Sequence, residues 1–285
     1  MKITLAIMCY KQQDFIRETL LGAFAQDHDG LNILISDDNS PDGTYDVIRR
    51  TVDDYDGPHN ITINRNVPNK GLIGHVNHLF ELAADSDLIV YNAGDDISEP
   101  DRVSVLAQAY RETGAWLLHS DVLDMRPDGK LWGSQRRRKR QRIGMDFDIV
   151  RTARTNSTCI GATCAWSPRI MDDCGPITET DAIEDRVFYF RARLLERAHY
   201  IDQKLVRYRR GVGLTARTEN DLDHDRRYLR MDIASFRQRL KDARILAPER
   251  ADIAGAIEHK IAKRQRELAS LEKRAAEQDG ENGGR

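Results

Sequence analysis

Within its first hundred residues the chain alternates four apolar segments with three amphipathic ones, and this alternation limits its fold more than any other feature. Ile3–Met8, Leu31–Ser36, Ile61–Ile63 and Leu88–Tyr91 are short, largely uninterrupted apolar runs rich in β-branched residues. Between them Phe15, Ile16, Thr19, Leu20, Ala23 and Phe24 recur at helical spacing, followed by Tyr45, Val47 and Ile48, and then by Val76, Leu79, Phe80 and Ala83. Continuous apolar strands are what a parallel sheet buried on both faces requires. The alternation therefore predicts an α/β fold with helices on both faces, in which ligands bind at the carboxyl ends of the strands. Here those ends carry Tyr10, Asp37-Asp38 and Asp95-Asp96.

The last of these pairs is the most informative. Leu88–Tyr91 runs through Asn92-Ala93-Gly94 into Asp95 and Asp96 before Pro100 opens a helical pattern. Adjacent like charges in a folded site repel unless a cation or several donors lie beside them, so the pair favours a hard divalent ion with oxygen ligands. Mg²⁺ or Mn²⁺ held there would in turn hold a diphosphate. The competing reading has Asp95 capping the following helix and Asp96 in solvent.

Composition narrows the partners. At 285 residues the chain can bury a substantial core. Its 44 bases and 46 acids leave a formal charge of −2, so no whole-molecule field points to nucleic acid. Cys9, Cys159, Cys164 and Cys174 lack C-x-x-C spacing and lie in or near apolar segments, which predicts buried thiols in a reducing compartment. The apolar run at Ile3–Cys9 leads into Lys11-Gln12-Gln13-Asp14, unlike a cleavage site, and no apolar stretch approaches the length of a membrane span. The expected location is cytoplasmic. No G-x-G-x-x-G follows the first strand and no G-x-x-x-x-G-K-[ST] occurs, which disfavours a dinucleotide dehydrogenase or a P-loop NTPase.

Taken in order, four motifs resemble those of family 2 glycosyltransferases with the GT-A fold. They are Thr4-Leu5-Ala6-Ile7-Met8-Cys9-Tyr10, Ile35-Ser36-Asp37-Asp38-Asn39-Ser40-Pro41-Asp42-Gly43-Thr44, Asn69-Lys70-Gly71 with Asn77, and Ala93-Gly94-Asp95-Asp96. The likeness covers about the first 210 residues. It implies a nucleotide-binding, mixed but mostly parallel sheet flanked by helices. It also implies inverting transfer of a sugar from a nucleotide-diphosphate sugar, by prior a UDP-sugar, to an acceptor hydroxyl, with Mn²⁺ or Mg²⁺ as cofactor. On the same resemblance Tyr10 stacks on the base, Asp38 accepts a hydrogen bond from a ring N–H of the base, and Lys70 lies near the base or the diphosphate. Asp95 contacts the ribose and Asp96 coordinates the metal. Where many relatives carry an acid two or three places before the last Asp, this chain has Ala93 and Gly94, so ligation falls on Asp96 with donor phosphates and water.

The second half supplies the acceptor side. Glu184-Asp185 opens a helix that buries Val187, Phe188 and Phe190. The helix dipole favours acids in a first turn and by itself accounts for the pair. The pair also resembles the family's Glu-Asp motif, which makes Asp185 the catalytic base and Glu184 an orienting or acceptor-binding neighbour. Leu205-Val206-Arg207-Tyr208-Arg209-Arg210 resembles the strand that closes the acceptor side. The family's usual His has no counterpart there, leaving Arg209 or Arg210 to contact diphosphate or acceptor. The expected acceptor is a glycan or lipid-linked glycan of surface polysaccharide or glycoconjugate synthesis.

Arg136-Arg137-Arg138-Lys139-Arg140-Gln141-Arg142 places six bases in seven residues. It reads either as a solvated loop or as a contact with an anionic ligand or the inner membrane face. The organisation expected is a catalytic unit over 1–220, split into a nucleotide-sugar-binding half (1–100) and an acceptor-binding half (101–220). A charged helical hairpin over 221–278 and a disordered tail over 279–285 follow. Ile253, Ile257, Ile261, Leu268 and Leu271 form a narrow stripe that either packs on the catalytic unit or makes a homodimer.

Two other classes compete. Sugar nucleotidyl transfer shares the fold type but calls for a Gly-rich, Arg-containing loop after the first strand, and Cys9-Tyr10-Lys11-Gln12 is not one. A non-catalytic nucleotide-sugar or glycan binding module would keep Asp38 and Asp96 without needing Asp185.

Overall fold

The computed structural model describes residues 1–132, 142, 144–156, 159–213 and 222–282. The first half is built as the alternation predicts: β1 (Ile3–Cys9), α1 (Ile16–Phe24), β2 (Asn32–Asp37), α2 (Thr44–Asp53), β3 (Asn60–Arg65), α3 (Gly71–Leu82) and β4 (Leu88–Ala93). A two-residue strand that the sequence does not announce, β5 (Ile97–Ser98), precedes α4 (Arg102–Thr113). Then come β6 (Leu117–Met125), β7 (Leu131–Trp132), α5 (Ile149–Ala153), a 3₁₀ turn at Gly161–Thr163, β8 (Ala165–Trp166) and α6 (Arg169–Asp172). The chain continues through α7 (Glu184–Leu194), β9 (Ala198–Arg209), α8 (Leu222–Leu246) and α9 (Ala251–Asn282).

Among the described residues the strands form one sheet in the order β3-β2-β1-β4-β8-β6-β9-β5, with β7 paired to β6. β1 through β4 are mutually parallel, and so are β6 and β9. β8 pairs antiparallel with β4 and β6, and β5 pairs antiparallel with β9, so the sheet is mixed but mostly parallel. Register matters for the site. Cys9 lies opposite Asp37 and Met8 opposite Ala93, so three strands end level and their loops leave from one edge.

Strand alternation divides the core in two. Leu5 and Ile7 of β1 pack with Ile16, Leu20, Ile48, Val103 and Leu106 on one face. Ala6 and Met8 pack on the other with Ile73, Val76, Leu79, Phe80, Trp166 and Phe188. Trp166 is fully buried, its ring 4.7 Å from Tyr91 and 5.0 Å from Phe188. Burial of such side chains stabilises by about 1.5–3 kcal/mol each.

α8 and α9 form the expected antiparallel hairpin, marked by the pairs Arg244–Glu258 and Arg230–Glu272. The apolar stripe is used within the chain: Ile253 and Ile257 are buried with Phe190, Phe236 and Ala243. The second helix runs on to Asn282, into the stretch expected to be disordered. Of the basic run only Arg142, which is exposed, lies among the described residues. No helix among the described residues is long and apolar enough to cross a membrane.

Candidate active site

The loop after β1 presents Tyr10, 45% exposed, beside Lys11, whose ammonium lies 5.2 Å from the ring centroid. Asp38, just past β2, is buried. Its Oδ1 accepts from Asn66 Nδ2 at 2.8 Å and from the backbone N–H of Lys70 at 2.9 Å, and its carbonyl accepts from Asn69 Nδ2 at 2.5 Å. Lys70 therefore meets Asp38 through its backbone, leaving its exposed side chain at the start of α3. Asn66 is a partner that the sequence motifs do not reveal, because β3 brings it alongside Asp38 only when the sheet forms.

The Asp95-Asp96 turn follows β4. Gly94 has a packing reason: a Cβ there would lie 3.1 Å from Cys9 Sγ and would strike the Gln12 side-chain amide. An acid at that position would meet the same crowding. Asp96 is buried, and its Oδ1 accepts from the backbone N–H of Arg209 at 2.7 Å. Burial, and then the neighbouring Asp95 charge, push the Asp96 carboxyl well above the usual carboxylate range; burial also raises Asp95. After β9, Gly213 (φ +80°) passes so close that a Cβ on it would lie 2.9 Å from Asp95 Oδ2. Asp95 does not cap the next helix. α4 starts at Arg102 with Asp101 before it.

Arg209 and Arg210 diverge. The Arg209 guanidinium is buried and donates to the carbonyls of Asp95 (3.0 Å) and Pro127 (2.8 Å) and to Glu18 Oε2 (2.6 Å), 4.7 Å above the Phe15 ring. Arg210 pairs with Asp124 Oδ1 at 2.5 Å and stacks on Tyr208. In this state both guanidinium groups are engaged within the protein.

The second acid pair sits in the first turn of α7. Glu184 is buried and Asp185 half-buried. Asp185 Oδ2 accepts from the backbone N–H of Gly161 at 3.2 Å. Its Oδ1 is enclosed and has no hydrogen-bond partner among the described residues. Gly161 belongs to this arrangement because a Cβ there would come within 2.9 Å of Glu184 Oε1. Burial, then the Asp185 charge, push Glu184 up to about 8. Burial raises Asp185 as well, with Arg186 acting in the opposite sense.

Two buried groups tie the halves together. Tyr91 of β4 is buried, and its hydroxyl is pushed up first by burial and then by the charges of Glu184, Asp95, Asp185 and Asp96. Arg102, fully buried, donates to Asn92 Oδ1 (2.8 Å) and the Tyr91 carbonyl (2.6 Å) at the end of β4, and to the Ala162 carbonyl (2.7 Å) beside the Gly161 turn. The sequence marks Arg102 only as a residue of a helix; its role comes from which carbonyls the sheet points at it.

Among the described residues no three His, Cys, Asp or Glu side chains cluster as a complete metal cage. The donor set at Asp95 and Asp96 nevertheless suits a hard cation: two adjacent carboxylates, both strained toward the neutral form by burial, gain most from a positive charge whose remaining ligands come from elsewhere. The four cysteines are free thiols, and Cys9, Cys159 and Cys164 are buried.

The family model for glycosyl transferase family 2 matches residues 4–175. Among solved structures, S. aureus TarS 1–349 in complex with UDP-GlcNAc superposes with a TM-score of 0.64 at 16% identity, covering 93% of this chain and 72% of that one. The mannosyltransferase PcManGT from Pyrobaculum calidifontis, in complex with GDP-Man and Mn²⁺, superposes with a TM-score of 0.63 at 14% identity, covering 96% and 79%. No curated protein matches the chain in sequence.

Proposed function

The chain belongs to glycosyl transferase family 2 and has the GT-A fold; on that premise we propose that it is an inverting, metal-assisted glycosyltransferase using a nucleotide-diphosphate sugar. The observation that carries this reading is the enclosed, unpartnered Oδ1 of Asp185 in the first turn of α7. Asp185 takes the proton of the acceptor hydroxyl as that oxygen bonds to the anomeric carbon and the bond to the diphosphate oxygen breaks, inverting the centre. A positioned base of this kind contributes roughly 10²–10⁴-fold, and burial raises the basicity of the Asp185 carboxylate. Gly161 orients Asp185 through its N–H, and Glu184 lines the acceptor side.

Tyr10 stacks on the base, Asp38 receives a base N–H, with Asn66 and the Lys70 backbone holding its carboxylate, and Asp95 faces the ribose. Asp96 would hold Mn²⁺ or Mg²⁺, which when bound supplies charge neutralisation on the leaving diphosphate. Neighbours in complex with UDP-GlcNAc and with GDP-Man support a nucleotide-sugar donor, with uridine as first choice. The acceptor is the hydroxyl of a glycan or lipid-linked glycan. The enzyme works in the cytoplasm.

Thermal unfolding with UDP, GDP, dTDP and CMP, each with and without Mn²⁺, tests the donor site. One nucleotide should raise the midpoint by several degrees only with the metal, since a ligand at 100 times its Kd stabilises by about 2.7 kcal/mol. Asp96→Ala should remove the shift. No shift with any nucleotide in either condition would retire the transferase reading.

A further inference from the structure

Helix α8 lies in the part of the chain expected to be an appendage, yet it carries a buried polar stripe. Asp232, Ser235, Gln238, Arg239 and Asp242 recur at helical spacing and each is 3% exposed or less. Buried polar residues cost stability unless paired, so their partners reveal what the stripe is for.

Asp232 also meets Asn156 and Arg264, and Arg239 the Thr155 carbonyl, but every member of the stripe has a partner on the segment that leads into and forms α7. Gln238 Oε1 accepts from the backbone N–H of Thr178 at 2.8 Å and of Glu179 at 3.2 Å. Ser235 Oγ accepts from the backbone N–H of Ile183 at 2.9 Å, at the start of the turn that carries Glu184 and Asp185. Asp232 pairs with the Arg186 guanidinium, next in sequence to Asp185, and Arg239 Nε donates to the Arg186 carbonyl at 3.0 Å. Asp242 takes Arg191 in a two-pronged pair at 2.9 and 3.0 Å. On the opposite side Asn77 exchanges two hydrogen bonds with the Ile177 backbone. Ile183 has no side-chain oxygen to cap the helix, so the Ser235 hydroxyl takes up an N–H at its start.

We propose that α8 is a positioning helix for the catalytic carboxylate, with Ser235 and Gln238 fixing the loop that aims Asp185 at the acceptor. The inference rests on Asp185 being the base. Neither residue touches the reacting atoms. They act by holding the backbone of residues 178–183, and a carboxylate misplaced by about 1 Å costs on the order of 10²-fold in rate.

The test compares Ser235→Ala and Gln238→Ala with the unaltered full chain, following nucleoside diphosphate release from a panel of UDP-, GDP- and dTDP-sugars with Mn²⁺. Each variant should lower kcat about tenfold or more while donor KM and the Mn²⁺-dependent nucleotide shift in unfolding midpoint stay unchanged. In an Asp185→Asn background Ser235→Ala should add no further loss, since it acts through that carboxylate. Lower unfolding midpoints with unchanged kcat per folded molecule would make the stripe purely structural and overturn the proposal. If Ser235→Ala fails to fold, Gln238→Ala gives the same reading. Turnover that survives Asp185→Asn, or is absent from the unaltered chain across the panel, would sink the base assignment itself. Loss in Asp185→Asn together with normal kcat in both α8 variants would sink only the positioning role.

Discussion

The backbone N–H of Arg209 donates to Asp96 Oδ1 across 2.7 Å while the Nε of the same residue donates to the Asp95 carbonyl across 3.0 Å. One residue of β9 thus holds both members of the acidic turn after β4, and its other donors reach Pro127 and Glu18.

Arg209→Met should therefore destabilise the protein by about 2–4 kcal/mol, because it leaves buried carbonyls without donors. Arg209→Lys should recover little, since a point ammonium cannot serve that fork of partners. Denaturant unfolding checks both. The Mn²⁺-dependent nucleotide shift should weaken in parallel, as the turn loosens while the backbone bond to Asp96 remains.

Asp185→Asn keeps the shape of the side chain and removes its basicity. Turnover should fall roughly 10²–10⁴-fold, with nucleotide affinity unchanged if Asp185 serves the acceptor as proposed. Steady-state rates and equilibrium nucleotide binding on the same preparation would decide it.

Glu184 makes stability depend on pH with a definite sign. Burial and the Asp185 charge raise its folded-state pKa from an ordinary 4.5 to about 8. Between those values the folded state binds more protons than the unfolded one, so this group's contribution falls as pH rises through the window and is lost above about 8. Glu184→Gln should raise the unfolding midpoint at pH 8 and change it little at pH 4.5. Equal shifts at both pH values would contradict the assignment.

Gly161→Ala places a methyl 2.9 Å from Glu184 Oε1 and 3.7 Å from Asp185 Oδ2. A cost of about 1–3 kcal/mol in stability is expected for such overpacking. The kcat should drop at least tenfold, because the N–H that orients Asp185 moves with the turn. Equilibrium unfolding and turnover measured together separate the two effects.

Much of this architecture is legible in the chain itself. A continuous apolar run such as Ile3–Met8 has side chains on both faces of a strand, so it demands helices on both sides. Loop residues at strand ends, Tyr10, Asp38 and Asp95-Asp96, then have to share one edge, because parallel strands all finish at the same side of a sheet. The helical hairpin was equally readable from its spacing.

Contacts made across long sequence separations were not. Asn66 reaches Asp38, Arg102 reaches the Ala162 carbonyl, Gly161 reaches Asp185, and Arg209 is turned inward onto Asp95. The sequence reads α8 as part of a charged helical hairpin, and its spacing shows polarity but not that a partner of opposite character waits beneath the stripe. Local propensity and periodicity thus determined the sheet, its layers and the edge that carries Tyr10, Asp38 and Asp95-Asp96. Tertiary packing alone decided which carboxylates are buried, which arginine is turned inward and which helix holds the segment before Glu184 and Asp185, since each depends on desolvation and hydrogen-bond geometry that exist only once distant segments meet.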